Sequence, residues 1–378
     1  MWALVLKEFR QVRRDKRTLA MMIVLPILML VVFGYAASFD VETIPTAALG
    51  PGADRAAEQL PEQFDVVLTD SDGDRSEAVE FLRDGDAVVA LVTGRTPAIL
   101  IDGVELFSAR QALQVLARSS SGTAPTTDGP GPVLAAFAGA RPEILFNPGL
   151  ETSVIMIPAI AGMILIFIAT MITSLGVVRE RQAGTLEQLA VMPFRPRDVF
   201  VGKIAPYFLV ATIDLAIILV VGTRLFDVPF RGPVLVLALG ALLFLFVTLG
   251  LGVLISSVSD NQGQAIQLSL MILIPQVLLS GMIFPIDSMG EGIRWISYLL
   301  PLRYFIEISR GVMIRGADLA AVWEPIALLA AIGIVTFGLS LVRFRADLAP
   351  APHPPRRRRH SARSISPAGP SATGLSRP

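Results

Sequence analysis

The sequence predicts an α-helical polytopic membrane protein: six transmembrane helices, with a small extracytoplasmic α/β domain inserted between the first and second. Three observations predict it. Apolar residues make up 53% of the 378 and charged residues only 17%, with a mean hydropathy of +0.63. Soluble globular chains are less apolar and more charged. Six runs of roughly the length that crosses a bilayer, each free of Lys and Arg, occupy 19–37, 154–178, 204–221, 234–256, 266–284 and 321–342. Between the first two runs, residues 40–148 break the pattern with 17 acids against seven Arg and no Lys.

The same composition narrows the function. Lys+Arg and Asp+Glu both total 32, so no general attraction to nucleic acid is expected. There is no Cys, and the two histidines, His353 and His360, both fall in the last 26 residues. Disulfides and thiolate chemistry are excluded, and no His-based metal centre is expected.

Helices of a soluble core alternate apolar and charged faces at period 3.6. The six runs have no such charged face, which places them in lipid. Orientation follows from the short flanks. Residues 1–17 carry six bases, 179–203 carry five and the segment after Val342 carries eight, against six in the intervening short segments. Both termini are therefore expected in the cytoplasm. Basic residues, an apolar run and then Ala36, Ala37 and Ser38 somewhat resemble a signal peptide. The apolar run of 19 residues is longer than a signal peptide's, and cleavage would leave five spans. Before it, Trp2, Val5, Leu6, Phe9 and Val12 form one helical stripe flanked by Lys7, Arg10, Arg14 and Arg17. That pattern suits a helix of residues 1–18 lying on the cytoplasmic membrane face.

The insert, 39–149, reads as alternating strands and helices. Strands are expected at 44–49, 64–69, 87–93 and 98–101, and helices at 54–60, 76–83 and 106–118, with Ser76 as an N-cap. Residues 119–132 are Ser/Thr/Gly/Pro-rich and read as a flexible linker. Asp70, Asp72 and Asp74 resemble a calcium loop only faintly, because the spacing lacks its closing Glu. A solvated acidic turn is the expected reading.

Within the five-helix region, 150–345, the stretch VVRERQAGTLEQLAVMPFRPRDVFVGK after the second span carries the clearest signal. Thr185 and Gln188 have capping-box spacing. Gly184 breaks the preceding helix and Pro193 ends the next. A short helix, 186–192, is thus set between two stops with Leu186, Leu189 and Ala190 on its apolar face. On spacing alone, force transfer from a soluble partner and mere connection of two spans are equal readings.

This stretch closely resembles the coupling region of ABC type-2 transporter permeases. The matching residues are Arg179, Glu180, Arg181, Gly184, Thr185, Glu187, Gln188, Leu189 and Pro193, then Gly202, Lys203, Pro206 and Tyr207. Further matches are 141–158 before and into the second span, 280–290 and 299–316. The insert is similar to that of the drug-efflux branch, and the resemblance covers 1–347. It implies a permease subunit in a bacterial cytoplasmic membrane, paired with a second permease copy or paralogue. An ATP-binding subunit would dock on the coupling helix, about 179–200, through the residues just named together with Leu186. ATP and Mg would be bound by that partner, because no G-x-x-x-x-G-K-[ST] loop occurs here. Lipid and polysaccharide exporters share this mechanical type. A receptor or scaffold is the rival from another class.

Several polar residues fall inside the spans. Asp214 lies mid-way along the third, where a carboxylate costs about 2.5–3.5 kcal/mol on insertion scales. It reads either as a pathway acid or as a hydrogen-bonded structural group. Thr170, Thr173 and Ser174 on the second span and Gln267 and Gln276 on the fifth border the pathway by family resemblance. Hydroxyls in such helices more often bond backbone. Between the fifth and sixth spans, 285–318 is expected to hold two short interfacial helices around Pro301, with Arg303 and Glu307 spaced to pair. The Pro/Arg-rich segment 346–378 is expected to be disordered and membrane-anchoring.

Overall fold

The computed structural model describes residues 43–120, 137, 140–184 and 196–348. The first expected span, the helix before it, most of the 119–132 linker, the short 186–192 helix and the segment after 348 lie outside the described residues.

The α/β unit is built around five strands in the order β2-β1-β3-β4-β5. They are β1 (Ile44–Leu49), β2 (Phe64–Asp70), β3 (Val89–Val92), β4 (Ala98–Asp102) and β5 (Glu143–Leu145). Neighbours pair in parallel except β3 and β4, joined antiparallel with Val89 opposite Ile101. Helices are α1 (Ala53–Glu58), α2 (Arg75–Asp84) and α3 (Leu106–Ser120). The central strands are apolar on both faces because each face is covered. Ile44, Val89, Leu91 and Ile101 pack with Ala109, Ala112 and Leu116 of α3. Ala47, Leu49, Ala90 and Leu100 pack with Ala78 and Leu82 of α2.

Two expectations for this unit change. Asp74, not Ser76, caps α2: its Oδ1 accepts from the amides of Ser76 and Glu77 at 2.8 and 3.1 Å. A carboxylate two residues upstream reaches both free amides of the first turn, and the Ser76 hydroxyl also bonds to it. These bonds, the Ser76 hydroxyl's first, hold the Asp74 carboxyl below its ordinary range. Asp70 accepts from the Asp72 amide at 2.9 Å, so the acidic turn is locally hydrogen-bonded, as the solvated-turn reading expects. The second change is β5. Three residues between Arg141–Pro142 and Asn147–Pro148 are too few to show a period, yet they add a parallel edge to β4.

The link out of β5 is held against its own preference. Phe146 and Leu150 have φ of 64° and 48°, a region side chains with Cβ disfavour. Between them, buried Asn147 donates to Gly103 O and Glu151 O at 3.2 Å each and accepts from Glu151 N at 3.1 Å. The α/β unit is thereby joined without slack to the first long helix.

Five long helices follow: α4 (Thr152–Gln182), α5 (Pro196–Leu225), α6 (Val234–Val258), α7 (Gln262–Leu279) and α10 (Trp323–Leu348). All five contain windows long and apolar enough to cross a membrane. The middle of each agrees with the sequence expectation. The fifth expected run does not remain helical to 284: α7 stops at Leu279, and Gly281, with φ of 79°, turns the chain. Composition does not mark this turn. α6 packs between α4 and α10. A Cβ on Gly252 would lie 2.7 Å from Thr173 Cβ, so α4 and α6 touch at a distance only glycine permits.

Between α7 and α10 lie a 3₁₀ turn (Ile286–Ser288), α8 (Glu291–Ser297), α9 (Pro301–Arg310) and a π turn (Gly311–Arg315). α9 is buried on most sides, and Phe305 stacks on Phe244 of α6 at 4.5 Å. Arg303 and Glu307 do not pair. The Arg303 guanidinium sits over the Tyr298 ring, 4.1 Å from its centroid, and its Nε and Nη1 find no hydrogen-bond partner.

Candidate functional site

Two ends of the helical bundle carry polar structure. At the first, α4 runs out through Arg179, Glu180, Arg181 and Gln182 to Gly184, whose φ of 72° ends it. The turn between α6 and α7 meets this end. Arg181 Nη1 donates to Ser259 O at 3.1 Å, Arg179 Nε to Gln262 Oε1 at 3.3 Å, and Gln262 Nε2 to Gln182 Oε1 at 3.1 Å. The turn is itself ordered: Asn261 Oδ1 accepts from Gln264 N, and Gln264 Oε1 accepts from Asp260 N. α5 returns against α4 with Tyr207 so close to Gly176 that no side chain fits at that glycine. The sequence-predicted residues Thr185, Leu186, Glu187, Gln188, Leu189 and Pro193 lie outside the described residues. The base of that segment is therefore braced against three other helices; Arg179 and Arg181 were expected from the sequence, while Gln182, Ser259 and Gln262 were not.

The intramembrane polar residues do not form one constellation. Thr170 Oγ1 donates to Thr248 O of α6 at 3.1 Å. Ser174 bonds Met171 O of its own helix and lies 3.4 Å from Ser269 of α7. Thr173 is buried against Gly252 with its hydroxyl unpartnered. These three stitch α4 to α6 and α7. Gln276 turns elsewhere: its Oε1 accepts from Leu302 N at 3.2 Å and so satisfies an amide of the first turn of α9. Gln267 keeps a buried, unpartnered Oε1. Asp214 is half-buried on α5, and no hydrogen bond or ion pair reaches it among the described residues.

At the opposite end, the α/β unit docks on the π turn through a buried ion pair the sequence did not announce. Arg315 Nη2 lies 2.7 Å from Asp102 Oδ2 and 3.0 Å from Glu105 Oε1. Asp102 is fully buried and Arg315 is 8% exposed, so the charges answer each other in a poorly solvated place. Burial pushes the Asp102 carboxyl up to about 6, with the Arg315 charge pulling the other way. Arg231 reinforces the joint, donating to Phe146 O at 3.1 Å and Ile314 O at 3.0 Å. One hint was available: Asp102 is an acid closing an otherwise apolar strand. Its partner, 213 positions away, was not readable.

A bundle of membrane-length helices with a polar bracket at one end and a docked α/β unit at the other describes a polytopic membrane protein. The chain belongs to the ABC-2 transporter family: a family model described as ABC-2 family transporter protein matches residues 16–342. Among similar proteins is YbhS of Escherichia coli K12, named a probable multidrug ABC transporter permease. It is 26% identical over 373 residues, 92% of this chain and 97% of YbhS. The similarly named YbhR is 25% identical over 91% of this chain and 98% of its own length. The inner membrane transport permease YhhJ from the same organism is 31% identical over 54% of each chain. The chain is thus a transmembrane permease subunit of ATP-binding-cassette type, and a receptor or scaffold role is set aside.

Proposed function

We propose that this permease exports hydrophobic or amphipathic compounds, drugs among them, across a bacterial cytoplasmic membrane. Residues 19–38 supply a sixth span, both termini are cytoplasmic, and the α/β unit stands outside. A separate subunit that binds ATP and Mg grips the 179–200 segment, and a second permease copy or paralogue completes the transporter. The names of YbhS and YbhR support the drug class.

One observation carries the reading: the bracket of Arg179, Arg181 and Gln182 on the α6–α7 turn. A lever moves helices only if its base is tied to them. Pressure applied beyond Gly184 reaches α4 directly, and α6 and α7 through these hydrogen bonds. Thr170, Thr173 and Ser174 then lie along the α4 face that would shift against α6 and α7. Asp214 and Gln267, lacking partners among the described residues, are the pathway polar groups with most freedom to meet a substrate.

The test is ATP hydrolysis by the purified complex. Leu186→Asp is expected to lower substrate-stimulated turnover at least about tenfold, since it removes apolar burial of about 1.5–3 kcal/mol, and Glu187→Arg is expected to lower it by reversing a charge on the same helix. Membrane insertion should be normal. Unaltered stimulation in both variants would contradict the coupling assignment.

A further inference from the structure

Under the docked α/β unit lies a cavity of about 290 Å³. Its lining includes Asp84 at the end of α2, Glu105 just before α3, Ser280 just after α7, and Arg303, Glu307 and Arg310 of α9.

The polar groups here are poorly satisfied by the protein itself. Arg303 Nε and Nη1 and the Ser280 hydroxyl are shielded and unpartnered, and Ser280 is 1% exposed. Buried donors are ordinarily met, so unmet ones beside this cavity call for an acceptor. Glu307 shows the opposite need. It stands exposed within the cavity, and among the described residues no donor reaches it. Protein on all sides nevertheless pushes its carboxyl above the ordinary range, against the pull of Arg303. An Arg and a Glu four apart on a helix ordinarily close on each other. Here Tyr298 holds the guanidinium away, leaving a positive and a negative group one helical turn apart beside the same cavity. Arg315 acts on Glu307 only through space, because its hydrogen bonds go to Asp102 and Glu105.

We propose that this cavity binds a zwitterionic phosphate–ammonium group, the phosphate oxygens at Arg303 and Ser280 and the ammonium at Glu307. The residues next in the chain to lining positions include exposed Leu299 and Trp323, apolar side chains suited to a membrane interface. A phospholipid head group is one source of this chemistry, and a free zwitterion such as glycerophosphoethanolamine is the other. Placing the cavity at the outer leaflet rests on the topology proposed above. Binding itself does not, and it is measured without ATP or transport.

The full chain is purified in a neutral detergent, and retention of phosphatidylethanolamine and phosphatidylglycerol is compared by native mass spectrometry. The two share the phosphate and differ in the ammonium. The wild type is expected to favour phosphatidylethanolamine about tenfold, the worth of one charge-assisted hydrogen bond. Glu307→Gln abolishes the preference, Glu307→Asp keeps it, and Arg303→Gln weakens both lipids alike. Thermal melts confirm that each variant is folded. Competition by glycerophosphoethanolamine assigns the site to the free group; lipid retention without competition assigns it to the lipid. Equal retention of the two lipids by the wild type, or an unchanged preference in Glu307→Gln, overturns the proposal.

Discussion

The two polar ends of this bundle are built on different physics. Where the α/β unit meets the π turn, Arg315, Asp102 and Glu105 form an ion-pair triad with its centre out of water. Where α4 meets the α6–α7 turn, Arg179, Arg181, Gln182 and Gln262 make hydrogen bonds in or near solvent. A buried pair is expensive to break one-sidedly. Exposed bonds of the second sort are worth about 1 kcal/mol or less. The contrast separates a joint that holds one arrangement from a joint that can be remade during a cycle.

The largest effect should come from Asp102→Ala. It leaves the Arg315 guanidinium buried with only the half-exposed Glu105, and about 3–5 kcal/mol of stability should be lost. Thermal unfolding in detergent would register it, and a change under 1 kcal/mol would erase the distinction between the two ends. Next is the contact between them. Gly252→Val forces a side chain into Thr173, and overpacking of this kind costs about 1–3 kcal/mol. The expected result is a lower melting temperature with the α/β unit still docked, read by hydrogen exchange. Smallest in stability is Arg181→Ala. Less than about 1 kcal/mol should be lost, while substrate-stimulated ATP hydrolysis should fall severalfold. A variant that melts earlier but couples normally would show the bracket to be scaffolding.

Much of the fold was legible because it is written locally. β1 and the mid-parts of α4, α5, α6, α7 and α10 follow from uninterrupted apolar runs between turn signals. The shift of the α2 cap from Ser76 to Asp74 is a choice between neighbouring oxygens, which spacing does not resolve. β5 was too short to carry a period, and the turn at Gly281 interrupts a run whose composition does not change. On the α4 side of the bracket, Arg179 and Arg181 were readable as motif residues and Gln182 was not. Its receiving side, Ser259 and Gln262, and the Arg315–Asp102 pair depend on how distant segments meet. Gln276 shows the same limit: its sequence position suggested a pathway group, while the fold spends its oxygen on the first turn of α9.

The central claim is that the segment beyond Gly184 faces the cytoplasm and is gripped there by an ATP-binding subunit. The chain contains no cysteine, so Leu186→Cys introduces a single reactive thiol. In right-side-out vesicles it should resist a membrane-impermeant maleimide. In inverted vesicles it should label, and a short bifunctional crosslinker should join it to the ATP-binding subunit. Labelling from the outer face, or the absence of that crosslink in an active transporter, would contradict the account.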